Sequence, residues 1–187
     1  KIFHYEAAQN STEDKYKDYW LFHYLCNGMN VKDLCLLKWK DIDNNTLTYV
    51  RAKTRSTSKG EQRITVSLKP QTMEIIKKWA QPAINEDVYL FPHLSKGLTA
   101  EQQRRVIQQL TKNINKYIKR IAKKVGINKN VTTYYARHSF ATILKRSGAN
   151  TSMISDLLGH SSVSVTENYL DSFEKEQIHK QTDALII

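Results

Sequence analysis

The feature that most limits the folds open to this chain is one long amphipathic segment. Thr99 reads as the N-cap of a helix running to about Val125, with Gln102 completing a capping box. Ile107, Leu110, Ile114, Tyr117, Ile118, Ile121 and Val125 recur along one side at helical spacing. A stripe of that length has to be covered by other elements. The opposite side carries Arg104, Arg105, Lys112, Lys116, Lys119, Arg120, Lys123 and Lys124. Two readings of that side stay open: an ordinary solvated face, or a face that contacts phosphates. Gly126 is the expected stop.

The segments around this helix fall into two kinds. Residues 12–27 read as a helix, with Lys15, Asp18 and Tyr19 alternating with Trp20, Leu21, Tyr24 and Leu25, and Gly28 ending it. Asn30 is placed to cap a short helix from Val31 to Leu37. From Trp39 to Leu68 the period changes to two. Leu47, Tyr49, Arg51 and Lys53 are expected on one strand face, with Asp43-Asn44-Asn45 as the preceding turn. Ile64, Val66 and Leu68 form a second alternating run, giving an antiparallel sheet of about three strands with a long basic hairpin tip. Lys53, Arg55, Lys59 and Arg63 crowd that tip, either as charges that blunt a sheet edge or as contacts to a polyanion. Pro70 opens a helix containing Ile75, Ile76 and Trp79 that Pro82 stops, and Val88–Pro92 reads as a buried connector.

The composition bounds the partners. The 187 residues suit one domain, and 40% are hydrophobic, enough for a core. Lys and Arg number 29 against 18 acids, a net charge of +11, which favours DNA, RNA or an anionic membrane surface. No apolar run approaches the ~18 residues of a membrane span. The start, KIFHYEAAQ, has neither a signal-peptide pattern nor an initiator Met, which points to a piece of a longer chain. Cys26 and Cys35 sit among apolar residues and read as small buried side chains in a reducing compartment.

The last third of the chain holds the chemistry. Residues 133–147 form an expected helix with Ala136, Phe140, Ile143 and Leu144 inward, and with Tyr134 and Arg137 three apart on an adjoining face. Thr151 is read as the cap of a short helix ended by Gly159, leaving His160 on a tight turn and Tyr169 nine residues further on. Singly, these are a surface Arg, a turn His and a packed Tyr. Together they suit transfer of a DNA phosphodiester. A phenol attacks phosphorus, and an Arg fork neutralises the non-bridging oxygens. A Lys on a hairpin protonates the leaving 5′ oxygen, and a His orients the phosphate or exchanges the phenol's proton. That chemistry calls for neither metal nor cofactor.

The motifs YYARHSFAT, LLGHSS and TENYL resemble those of the tyrosine recombinases, the phage and transposon integrase family. That family carries H-x-x-R-H, then L-G-H, then a nucleophilic Tyr nine residues after the His. NGMNVKDLCLLKWKDID resembles the family's first box and YVRAKT its catalytic-lysine strand, so the likeness spans roughly residues 18–170. The resemblance implies an α+β, mainly α catalytic domain with a small three-stranded antiparallel sheet. It assigns Tyr169 as nucleophile, Arg137 as the second arginine, His160 as the third-box histidine and Lys53 as general acid, with His138 supporting Arg137. It implies a site-specific recombinase acting through a 3′-phosphotyrosine intermediate on double-stranded DNA, in a synaptic tetramer aided by DNA-bending proteins. It places the protein in the bacterial cytoplasm at the nucleoid. It also implies that the whole of residues 1–187 is the catalytic domain, isolated from an N-terminal core-binding domain. A last helix from Ser172, with Phe173, Ile178, Leu185 and Ile186 apolar, would pack on a neighbouring protomer or on its own domain. DNA-contacting side chains would be Arg55, Lys59, Arg63, Arg104, Arg105 and Lys112.

Two positions depart from the pattern. Asn30 stands where the family has its first arginine, and Tyr134 where it has the first histidine. Asn cannot supply guanidinium charge, and Tyr134 can donate to phosphate but cannot act as a base near neutral pH. Arg51, two residues from Lys53 along the strand, is the expected substitute, with Arg55 second. The combination is similar to integrases of Bacteroidetes-type mobile elements. The rival readings are a catalytically impaired DNA-binding module, a type IB topoisomerase-like relaxing enzyme, and a basic helical interaction protein.

Overall fold

The computed structural model describes residues 1–53 and 63–170. The tip of the basic hairpin, with Arg55 and Lys59, lies outside the described residues, as do residues 171–187 with the expected last helix. Six α-helices, two short 3-10 helices (Ile2–His4 and Trp39–Asp41) and a three-stranded sheet make up the described elements, apart from a final helical stretch over 163–170.

Helix α1 (Thr12–Leu25) is the axle of the fold. Ser11 caps it by accepting from the Asp14 amide. It is buried on several sides at once, because α3 (Pro70–Trp79), α4 (Ala100–Lys124) and α5 (Thr133–Arg146) all pack against it. Its expected polar side is therefore not one. Asp18 is 7% exposed and Tyr19 fully buried, whereas Tyr24 and Leu25 are only half-buried. Tyr19 and Phe22 each meet Phe91 edge-on at 5.2 Å, which fixes the connector 88–92 under the helix.

The long helix behaves as its pattern requires. Thr99 and Gln102 form the reciprocal capping box, and Leu110, Ile114, Ile118 and Ile121 are buried against α1 and α2 (Val31–Leu36). Asn115 on its flank accepts from the Thr133 amide at 2.8 Å and so starts α5, whose own N-cap residue Thr132 makes no side-chain cap. Trp20 Nε1 donates to the Thr132 carbonyl at 2.8 Å and ties α1 to the same corner.

The sheet is the antiparallel meander β1 (Ile42–Asp43), β2 (Thr46–Val50) and β3 (Arg63–Ser67). Asp43 pairs Thr46 across a two-residue turn in which Asn44 takes φ 51°. Leu47, Tyr49, Ile64 and Val66 bury one face. β2 ends at Val50, and residues 52–53 turn away from the strand. Arg51 thus continues the buried face, but Lys53 does not share it: Arg51 is 8% exposed and Lys53 is exposed.

A second, smaller apolar cluster lies at the far end, where Ala141, Ile154, Leu158 and Leu170 join α5, α6 (Thr151–Leu158) and the 163–170 stretch. Here two local expectations fail. Asn150 and not Thr151 caps α6, accepting from the Met153 amide at 2.7 Å, because the cap must lie one residue before the first helical turn. Ile143 is 50% exposed, since α5 turns Ala136, Arg137 and Ala141 inward instead.

Candidate active site

A pair of buried arginines forms the polar centre of the site. Arg137 points from α5 into the interior and is 7% exposed. Its Nη1 donates to the Gly28 carbonyl at 3.0 Å and its Nη2 to the Leu158 carbonyl at 2.6 Å. Arg51 comes from the other side and donates through Nη1 to the Gly159 carbonyl at 2.8 Å. Both guanidinium groups therefore hold the carbonyl end of α6, the negative end of a helix. Burial and the neighbouring Arg51 charge push the Arg137 guanidinium down to about 10, so it stays charged at neutral pH.

Two glycines make the close approach possible. Gly28 has φ 62°, and a Cβ placed there would lie 2.7 Å from the Arg137 Cα. Any side chain would thus lift α5, and Arg137 with it, off the α1–α2 turn. Gly159 has φ 61° and faces Ile64 Cδ1 and Arg51 so closely that an added Cβ would overlap Ile64.

Asp33 lies beneath this pair, 3% exposed. Its Oδ1 accepts from the Ala52 amide at 2.8 Å, which anchors the turn carrying Lys53. Burial raises its pKa, while the Ala52 amide, Arg51, the Asn30 side chain and Arg137 oppose the rise. Asn30 occupies the N-cap position of α2 as expected but makes no cap with its side chain, which serves Asp33 instead.

The imidazole and phenol complete the group. His160 follows Gly159, its amide bonded to the Ser155 carbonyl at 3.0 Å and its Nδ1 to Thr166 Oγ1 at 2.7 Å. Burial and the charges of Arg137, Arg51 and Lys53 push it down to about 4, so it is neutral at pH 7. Its ring lies 5.8 Å from that of Tyr169 at 78°. His138 stacks on Tyr169 at 4.8 Å and 22°, and Tyr134 stands edge-on to both, 4.0 Å from His138 and 6.1 Å from Tyr169. Burial raises the Tyr169 phenol, Tyr134 raises it further, and Arg137 pulls it down. Burial alone pushes His138 down to about 4.

Arg137, His160, Tyr169, Arg51, His138 and Tyr134 thus converge, although they come from four separate pieces of chain. Lys53 is exposed at the rim and close enough to act on the charge of His160. Asn30 is one layer behind. Arg63 is exposed on β3, and Arg104, Arg105 and Lys112 are exposed on α4, where Arg105 pairs with Glu101. These four do not belong to the buried group. The sequence reading missed two members, Asp33 and Thr166. For Asp33 the available sign is its place three residues after Asn30. Thr166 lies one turn before Tyr169 and had no sign but that spacing. Among the described residues, no three His, Cys, Asp or Glu side chains lie together as a metal-holding group, and no helix is long and apolar enough to cross a membrane.

Comparisons with known proteins show the family and the fold. The model of the phage integrase family matches residues 4–176. Tyrosine recombinase XerA of Thermococcus kodakarensis is 32% identical over 143 residues, covering 76% of this chain and 46% of that protein. The chain spans about half the length of the curated relatives it matches. The crystal structure of XerA recombinase superposes with a TM-score of 0.53 at 23% identity, over 95% of this chain and 66% of that one. XerH site-specific recombinase bound to palindromic difH substrate gives a TM-score of 0.58 at 23% identity, over 97% of this chain and 48% of that one. The fold is that of these recombinases, and the chain belongs to the phage integrase family.

Proposed function

We propose that this chain is the catalytic part of a tyrosine-type site-specific DNA recombinase. The observation that carries the reading is the convergence of two buried guanidinium groups, a neutral imidazole and a phenol in one cluster. Tyr169 attacks the scissile phosphorus and forms a 3′-phosphotyrosine ester. Arg137 and Arg51 exchange their carbonyl partners for the non-bridging oxygens, which carry the charge of the transition state. Arg51 thereby supplies the charge that Asn30 lacks. Lys53 protonates the departing 5′ oxygen, so that on balance the phenol's proton ends on the new 5′ hydroxyl. Attack by a 5′ hydroxyl of another strand reverses the steps and frees Tyr169. His138 and Tyr134 brace the phenol's ring, and neither metal nor cofactor takes part.

Double-stranded DNA is the partner, steered by the net charge of +11. The exposed Arg63, Arg104, Arg105 and Lys112, with Arg55 and Lys59, make the phosphate contacts. Strand exchange takes place in a tetramer on paired sites, with DNA-bending proteins assisting, at the nucleoid of a bacterial cell. The departures at Asn30 and Tyr134 fit a mobile element of the Bacteroidetes type.

The test uses nicked suicide duplexes from a randomised pool, with covalent adducts read by their resistance to detergent. The wild-type chain should form an adduct and Tyr169→Phe none. Salt-sensitive DNA binding without any adduct would leave a binding module, and relaxation of one duplex without exchange between two would leave a topoisomerase.

A further inference from the structure

The side chain bonded to the His160 ring is Thr166. Thr166 has no exposed surface and sits in the 163–170 helical stretch, one turn before Tyr169. Its Oγ1 lies 2.7 Å from Nδ1 of His160. Among the described residues, that nitrogen is the one hydrogen-bond partner of this hydroxyl. A threonine hydroxyl has a single proton, and in a fully buried position that proton must reach an acceptor or a hydrogen bond is lost. A neutral imidazole also has a single ring proton, which can sit on either nitrogen. If Nδ1 held it, the hydroxyl's proton would point into the core with nothing to accept it. If Nε2 holds it, Thr166 donates to the Nδ1 lone pair and the buried hydroxyl is satisfied.

We infer that Thr166 is a positioning residue: its hydroxyl locks His160 in the tautomer with the proton on Nε2, so that the ring presents a donor to the Arg51–Arg137 pocket. The main chain at His160 is already held by the Ser155 carbonyl and by the left-handed Gly159, so the hydroxyl has only the ring left to orient. Because Thr166 and Tyr169 share one helical turn, the donor and the nucleophile move as one body. The catalytic consequence rests on the recombinase reading: His160 enters as a hydrogen-bond donor to a phosphate oxygen and does not accept the phenol's proton. The tautomer itself does not rest on that reading.

Long-range proton–nitrogen correlation spectra of the chain labelled with nitrogen-15 histidine read the tautomer directly. The six histidines give few signals, and His160→Gln identifies the one of interest. Wild type should show a protonated Nε2 and a bare Nδ1. Thr166→Val, equal in size but without the hydroxyl, should shift the signals toward a mixture, and Thr166→Ser should keep the wild-type pattern. A proton on Nδ1 in wild type, an unchanged pattern in Thr166→Val, or a Ser variant behaving like Val would each overturn the inference. Should the Val variant fail to fold, the wild-type and Ser spectra still decide. In adduct formation, Thr166→Val should lose about tenfold, and should lose nothing more when combined with His160→Ala. A wild-type chain that forms no adduct would sink the recombinase reading while the spectra still judged the tautomer.

Discussion

Among the described residues, two clusters of buried or half-buried charge are built on opposite rules. Between α1 and α3, Lys78 Nζ lies within 2.9 Å of Asp18, also contacts Asp14, and Trp79 Nε1 donates to the same Asp18 oxygen at 2.8 Å. Lys17 adds a second cation at 3.9 Å, so acids and bases balance. At the Arg51–Arg137 pair, both cations act on the buried carboxylate of Asp33, and their Nη groups donate to backbone carbonyls. Carbonyl dipoles satisfy the donors without cancelling the charge. The first cluster is a closed fastening between helices. The second holds its cations by backbone carbonyls that a phosphate oxygen can replace, which suits an anion that arrives from outside.

The widest gap between the two should appear in function. Arg51→Ala and Arg137→Ala should each lower adduct formation on a nicked duplex by about 10³-fold. DNA affinity should hardly change, and the unfolding free energy should change by less than about 1 kcal/mol, since removing one of two like charges offsets the lost hydrogen bonds. Normal cleavage by Arg51→Ala would end its part in the site and leave Asn30 without a substitute.

Next in size is an acid effect on the interior. His23 is fully buried, its Nδ1 3.0 Å from the Met29 carbonyl, and burial pushes it down to about 4. The unfolded chain takes up that proton near pH 6.5, so it binds more protons than the folded chain below that value. Stability should be full above about pH 6.5 and fall as the pH drops toward 4, by on the order of 3 kcal/mol in all from this residue. Denaturant titrations across this range should show the slope, and His23→Gln should flatten it.

The fastening cluster should then reverse the arginine result. Lys78→Met leaves Asp14 and Asp18 facing each other and should cost about 2 kcal/mol, because Lys78 is partly open to water. Adduct formation per folded molecule should stay within about twofold. A large loss of cleavage without loss of stability would erase the distinction between the clusters. The smallest effect belongs to the solvated charges: Arg104→Ala or Lys112→Ala should each lower the slope of log affinity against log salt by about 1, if the residue touches a phosphate. An unchanged slope would assign that face of α4 to solvent.

Much of this was legible in the chain because it is local. Periods of 3.6 and 2, the Thr99–Gln102 box, the glycine stops and the Asn44 turn are set within a few residues by backbone sterics and short hydrogen bonds. The spacing of Arg137, His160 and Tyr169 is written in the sequence in the same way, and it carried the family resemblance. Only the tertiary structure decided which of those residues are buried and what they face. Asp18 and Arg137 look like surface charges on their own helices, and both are interior because α1 and α5 are enclosed by other elements. Arg51 reaches Gly159 across 108 positions, and Asp33 reaches Ala52 across 19, contacts that no local pattern encodes. The balance of charge around a buried group is a sum over all its neighbours in space, and so it exists only once the chain has closed on itself.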